Sequence, residues 1–181
     1  MNPQDENLLI QQFKTGDLSI FEIFVKKYQD RIYNLCRYML GNTQDAEDAA
    51  QDVFVKAFRK LKDFRPESSL YTWLYRIGVN TCIDHKSKFR PEPFNDKFLE
   101  EDLPSAGPSP EGCYQSKEVG QAIQSALEQL PKHSRAVIVL KEIEGLSYEE
   151  IAEVLKTSVG TIKSRLSRTR EDLRRVLREK V

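Results

Sequence analysis

Between residues 20 and 40 the apolar positions Phe21, Phe24, Val25, Tyr28, Ile32, Leu35, Cys36 and Met39 advance by threes and fours. That spacing predicts one long amphipathic helix, which Gly41 ends. A second helix is expected from near Thr43 to Leu61, with acids crowding its start and bases its end, as the helix dipole prefers. Asp63 to Ser69 reads as a loop around Pro66, and Leu70 to about Lys88 as a further helix. In the second half, Gly145 can close one helix, and Ser147 with Glu150 forms an S-x-x-E capping box that opens the next. Ile151, Ala152 and Leu155 give that helix one apolar face, with small Ala152 permitting close approach. Ser158 caps again a few residues later, so two helices meet at a steep angle. Ile162, Leu166 and Leu173 then face inward and leave Gly160, Thr161, Lys163, Ser164, Ser167 and Arg168 pointing out. A helix-turn-helix presents its recognition helix to the DNA major groove in this way.

No period-two strand, Gly-rich phosphate loop or internal repeat interrupts this pattern, so the expected fold is all-α. Five of the eight prolines (Pro91, Pro93, Pro104, Pro108 and Pro110) fall between residues 91 and 117, where Glu100, Glu101 and Asp102 add an acidic cluster. Helix propagation fails there, because proline removes a donor and restricts the residue before it. The chain therefore divides into two small helical domains, 1–90 and 118–181, joined by a Pro-rich acidic linker, 91–117. That linker reads either as a solvating spacer or as a strand for a positively charged partner channel.

Charge separates a DNA-reading hairpin from a bland one. The whole chain is neutral, with 28 cations and 28 anions. From Lys156 to Val181, however, nine cations stand against three acids, a net of +6, whereas Glu118 to Leu155 has three cations against seven acids, a net of −4. Such asymmetry on one helix is the footprint of a phosphate-binding surface. The longest aliphatic run, Ala136 to Leu140, is far too short to span a bilayer. The N-terminus is polar and acidic, unlike a signal peptide, so a cytoplasmic protein is expected. Cys36, Cys82 and Cys113 are widely spaced, with only His85 and His133 for company. No metal-ligand spacing occurs, and neither histidine has a nucleophile or metal constellation around it. The expectation is no metal, no cofactor, no small-molecule substrate and no enzymatic activity, with Cys36 a core residue and Cys113 an incidental thiol.

Two N-terminal features exceed what a core needs. Asp48, Gln51, Asp52, Val55 and Lys56 form a face that is either solvated or, with apolar Val53 and Phe54 beside it, a docking surface. Phe64 to Asn80 concentrates aromatics, hydroxyls, Arg65, Arg76 and an amide, the groups that stack and hydrogen-bond extruded bases. Arg76, Asn80 and Asp84 lie four residues apart on one helix face, and Trp73 is better placed as core than as a base platform.

Asp-Ala-Glu-Asp-Ala-Ala-Gln-Asp-Val-Phe (45–54), Thr-Trp-Leu-Tyr-Arg-Ile-Gly-Val-Asn (72–80), Gly-Leu-Ser-Tyr-Glu-Glu-Ile-Ala (145–152) and Val-Gly-Thr-Ile-Lys-Ser-Arg (159–165) together resemble bacterial ECF-type RNA polymerase sigma factors of the sigma-70 family. The resemblance spans nearly the whole chain. It implies core RNA polymerase and promoter DNA as partners, and an anti-sigma factor, which in this family is often membrane-anchored. It implies that Asp48, Gln51 and Asp52 dock on the polymerase clamp helices. Phe64, Arg65, Ser68, Ser69 and Asn80 match the region that captures an unstacked −10 base, and Lys163, Ser164, Ser167 and Arg168 match the −35 readers. Many members carry Glu at the position of Asp52, and some carry Arg at Lys163 and a bulky aromatic at Ser167. Lys lacks the bidentate guanidinium fork and Ser lacks apolar contact, so a different base preference is expected. Without the resemblance, the residues leave open a stand-alone repressor whose first domain senses a ligand or dimerises.

Overall fold

The computed structural model describes residues 3–65, 69–87 and 115–178, and its regular elements are all helical. The N-terminal domain comprises α1 (Pro3–Lys14), α2 (Ser19–Leu40), α3 (Thr43–Lys60), a 3-10 turn (Leu61–Asp63) and α4 (Leu70–Ser87). The C-terminal domain comprises α5 (Gln115–Glu128), α6 (Lys132–Ile138) running into a π-helical turn (Val139–Ile143), α7 (Tyr148–Leu155) and α8 (Val159–Arg178). Most of the proline-rich linker, with Cys113, lies outside the described residues.

The apolar stripe of α2 becomes the spine of the N-terminal core: Phe24, Tyr28, Ile32, Leu35, Cys36 and Met39 are all buried. Against it packs α3, whose buried face is Ala46, Ala49, Ala50, Val53 and Ala57. Side chains this small let α3 approach α2 and α4 closely. Asn42 caps α3, its side-chain oxygen accepting from Asp45 N–H at 2.7 Å. Gly78 does the same spacing work on α4, because a Cβ there would stand 2.7 Å from Leu35 Cδ2. Cys36 and Cys82 meet in this core with their sulfurs 3.6 Å apart.

Helix α1 is an element that the hydrophobic pattern did not announce. Ile10 and Phe13 bury against the domain, with Phe13 set edge-on to Phe58. Glu6 Oε1 accepts from the Tyr28 hydroxyl at 2.7 Å, and Lys14 Nζ reaches the Phe64 carbonyl at 2.6 Å. Its signal is weak because four polar residues, Gln4 to Asn7, precede the first apolar one and Leu8 is itself exposed, so only burial of Ile10 and Phe13 reveals its face.

In the C-terminal domain, Ala126, Leu127, Leu130, Val137, Leu140, Leu146, Ile151, Val154, Ile162 and Leu166 are buried, and Leu173 packs on the same core in part. This core does not stop at the domain boundary, since one cluster of buried side chains runs through both halves. At the joint Gly41 has φ +93°, a left-handed cap for α2, and Glu128 of α5 lies where a Cβ on Gly41 would fall. Beside it is the buried guanidinium of Arg135, 3% exposed. Arg135 donates to the Met39 carbonyl at 2.7 Å, to Leu130 O at 3.1 Å and to Glu128 O. One side chain thus ends α2, turns α5 into α6 and joins the domains. Burial lowers its pKa, with Glu128 opposing that shift.

Replacing Arg135 by Ala should lower unfolding free energy by about 2–3 kcal/mol, the cost of leaving several buried acceptors without a charged donor. Urea denaturation followed by circular dichroism checks this, and a change below about 0.5 kcal/mol, within the range of ordinary surface substitutions, would contradict it.

Candidate nucleic-acid interface

The turn between α7 and α8 is set by local chemistry. Ser147 Oγ accepts from Glu150 N–H at 3.1 Å while Glu150 Oε2 accepts from Ser147 N–H at 2.7 Å, the expected capping box. Ser158 Oγ accepts from Thr161 N–H at 3.1 Å and opens α8. Between them the chain reverses at Lys156, a non-glycine residue at φ +50°. Thr157 N–H then returns to Ala152 O at 2.9 Å. No glycine marks that stop, so the sequence carries the two caps and not the left-handed residue between them.

Burial of Ile162, Leu166 and Thr169 pins one side of α8. On the other side Gly160, Lys163, Ser164, Ser167 and Arg168 are all exposed, so the structure brings the four expected −35 readers onto one open face. Ser164 Oγ donates to Thr161 O at 3.0 Å, which leaves its lone pairs outward. Lys163 Nζ lies 5.5 Å over the Tyr148 ring, a contact that steers the ammonium without neutralising it. Arg170, by contrast, is tied to Glu142 Oε1 at 2.6 Å. Arg174, Arg175 and Arg178 continue the exposed cationic track. Such a face offers donors to base edges and cations to phosphates.

The N-terminal residues divide differently. Asp48, Gln51, Asp52 and Val55 are exposed along one side of α3. Lys56 turns away to donate to Thr81 Oγ1 at 3.0 Å. Asn80 and Asp84 are exposed on α4, and Arg65 is exposed in the loop. Phe64 is 3% exposed and stands edge-on to Trp73 at 5.3 Å. It anchors the loop from inside, where no base can stack on it. Ser69 Oγ accepts from Thr72 N–H at 3.0 Å, so it caps α4. Ser68 lies outside the described residues. Arg76, one turn before Asn80 on α4, is engaged within the chain, its Nη2 pairing with Glu153 Oε1 at 3.2 Å.

That pairing belongs to a polar seam between α4 and the C-terminal domain. The Tyr75 hydroxyl donates to Glu144 Oε2, and Tyr71 Oη is 3.5 Å from the Glu144 carbonyl. The Tyr71 and Tyr75 rings touch at 4.4 Å, with the Arg31 guanidinium 5.4 Å from the Tyr71 ring centre. Burial pushes the Glu144 carboxyl up from its ordinary value, while Tyr75 and Arg31 pull it back. Burial and the carboxylate together raise the Tyr75 hydroxyl. Sequence reasoning missed Arg31 and Glu144 altogether, because nothing in either local pattern sets them apart from solvated charges.

The description Sigma-70 region 2 matches residues 24–90, and Sigma-70, region 4 matches residues 120–173. The ECF RNA polymerase sigma factor SigW of Bacillus subtilis is 40% identical over 94% of this chain and 95% of its own length. The chain belongs to the ECF RNA polymerase sigma factors. The RNA polymerase sigma-H factor of Pseudomonas aeruginosa is 36% identical to this sigma factor, over 98% of this chain and 96% of its own length. The structure of CnrH in complex with the cytosolic domain of CnrY superposes with a TM-score of 0.72 at 28% identity, covering 96% of this chain and 97% of that one. The sigma factor RpoE of Bartonella quintana, solved with the anti-sigma factor NepR, gives 0.66 at 27% identity, covering 87% and 96%. As a sigma factor this protein is a promoter-directing transcription initiation factor. Among its described residues no helix is long and apolar enough to cross a membrane.

Ser147→Ala should cost about 1 kcal/mol by removing the cap that positions α7, and Ser147→Asp should retain most of the stability. Thermal unfolding of the two variants measures both effects.

Proposed function

We propose that the two domains of this sigma factor divide promoter recognition as the division at 1–90, 91–117 and 118–181 suggests. Asp48, Gln51 and Asp52 dock the N-terminal domain on core RNA polymerase. Arg65, Ser68, Ser69 and Asn80 receive the −10 strand, with Phe64 shaping their loop from beneath. Lys163, Ser164, Ser167 and Arg168 read the −35 duplex. The observation that carries this reading is the open, cationic and hydroxyl-lined face of α8, aimed by two capped helices.

Phosphate contacts from α8 hold the upstream element and make affinity fall with salt. Side chains of residues 160–168 discriminate bases in the major groove. Capturing an extruded base opposes an unstacking cost of a few kcal/mol. Joining two DNA contacts through polymerase makes the second effectively intramolecular, so neither domain alone has to bind tightly. No covalent chemistry is assigned to the chain, and its place of action is the cytoplasm. A protein anti-sigma factor is the expected antagonist, in keeping with NepR, the anti-sigma factor in the similar Bartonella quintana structure.

Transcription in vitro with core polymerase and a promoter library tests the reading, which predicts new initiation at a shared two-element sequence. Failure both to bind polymerase and to stimulate initiation would favour a stand-alone repressor. Lys163→Ala and Arg168→Ala should each reduce promoter use by about 10- to 100-fold, the value of a base-reading contact, and leave polymerase binding unchanged. Asp48→Lys with Asp52→Lys should have the opposite profile, weakening polymerase binding about tenfold or more through reversed charge complementarity. A pull-down on core polymerase separates the two classes.

A further inference from the structure

In the core of the N-terminal domain two thiols face each other where α4 crosses α2. Cys36 lies on the buried stripe of α2 and Cys82 on the inner side of α4, 0% and 1% exposed. The Cys82 thiol donates toward Cys36 Sγ at 3.6 Å, so the two sulfurs are in direct contact. One turn earlier on each helix the chain makes room for this approach. Gly78 stands four residues before Cys82, and a Cβ there would meet Leu35 Cδ2 at 2.7 Å and Ile32 Cδ1 at 3.9 Å. As small apolar groups the cysteines fill this space much as alanine or valine would. What sets them apart is that each is the other's reaction partner. A disulfide bond is about 2.05 Å long, so closing it asks each sulfur to move by less than about 1 Å.

We propose that Cys36 and Cys82 are an oxidative modification site, a buried dithiol that hydrogen peroxide converts to a disulfide stapling α4 to α2. The thiolate of one cysteine attacks a peroxide oxygen, the O–O bond breaks, and the displaced hydroxide takes up that thiol's proton as water. The second sulfur then attacks the sulfenic acid left behind. The S–S bond forms, the S–O bond breaks, and the hydroxyl leaves with the second thiol's proton as another water. Two electrons pass from the sulfur pair to the peroxide. Burial makes the first step slow, because the oxidant has to enter the core. Hydrogen peroxide is uncharged and little larger than water, so it enters where bulkier disulfide reagents do not. The second step is fast, since the resolving sulfur is already in contact, and it forestalls sulfinic acid. The staple joins positions 46 apart and encloses all of α3. It restricts the unfolded chain far more than the folded one, so oxidation hardens the domain instead of disabling it.

The test uses the full chain carrying Cys113→Ser, so that only the two core thiols remain to react. It is treated with hydrogen peroxide and compared with untreated protein and with the further variants Cys36→Ala and Cys82→Ala. Free thiols are counted by maleimide labelling in urea, and digestion with mass spectrometry identifies linked peptides. The folded protein is expected to lose both thiols together, to yield the Cys36–Cys82 linked peptides, and to recover two thiols on reduction with dithiothreitol in urea. Its Tm should rise by about 5–15 °C, the effect of such a cross-link on a domain of this size. Neither alanine variant should form the cross-link or gain in Tm. Thiols that persist under peroxide, or sulfinic acid at either cysteine in place of the cross-link, would overturn the proposal. So would closure only after the protein has been unfolded, or a cross-link that leaves Tm unchanged or lower. Mass spectrometry on the intact cysteine pair decides the matter even where an alanine variant fails to fold.

Discussion

The relative placement of the two halves depends on Arg135, whose guanidinium is buried where the end of α2 meets the turn from α5 to α6. A charge in that position is tolerated only because backbone carbonyls converge on it: Met39 from one domain, Glu128 and Leu130 from the other. The Met39 and Glu128 carbonyls are among the unsatisfied acceptors that helix ends leave, and Leu130 O belongs to the turn that follows α5. The guanidinium fork matches them in a way a single ammonium would not. With that joint made, the acidic side of the C-terminal domain comes to lie on α4.

Such an arrangement sorts the charged residues by what they oppose. Among the described residues, the ion pairs made by cations of α8 are those of Arg170 with Glu142 and Arg175 with Asp172, while Lys163 and Arg168 stand exposed. Cations around α4 are engaged by Glu144 and Glu153. The same chain therefore leaves one cationic surface open and sets the other against its own carboxylates. Neutral overall charge says nothing against nucleic-acid binding, because the potential that matters is local.

The boundaries of α2, α3 and α4 and the exposed face of α8 were legible because local rules govern them. Stripe spacing placed α2, Gly41 closed it, and the Ser147–Glu150 box and Ser158 framed the turn, all as the structure has them. Tertiary surroundings decided the loop residues. Phe64, set by the resemblance among the −10-binding residues, is the loop's internal anchor, and Ser69 caps α4 from an exposed position. An aromatic or hydroxyl in a loop has the same local signature in either role, and only its neighbours separate them.

The sequence by itself determined the all-α class, the division into two helical domains, the helices α2, α3, α4, α7 and α8, and the outward set Lys163, Ser164, Ser167 and Arg168, since periodicity, capping and charge act over a few residues. Only the tertiary structure decided that Arg135 bridges the domains, that α1 is anchored through Glu6 and Phe13, and that Arg31, Tyr71, Tyr75 and Arg76 face Glu144 and Glu153. Those pairings join residues from 22 to more than 110 positions apart. No pattern along the chain encodes them, because whether a charge is solvated, buried or paired depends on which surfaces meet when the helices pack.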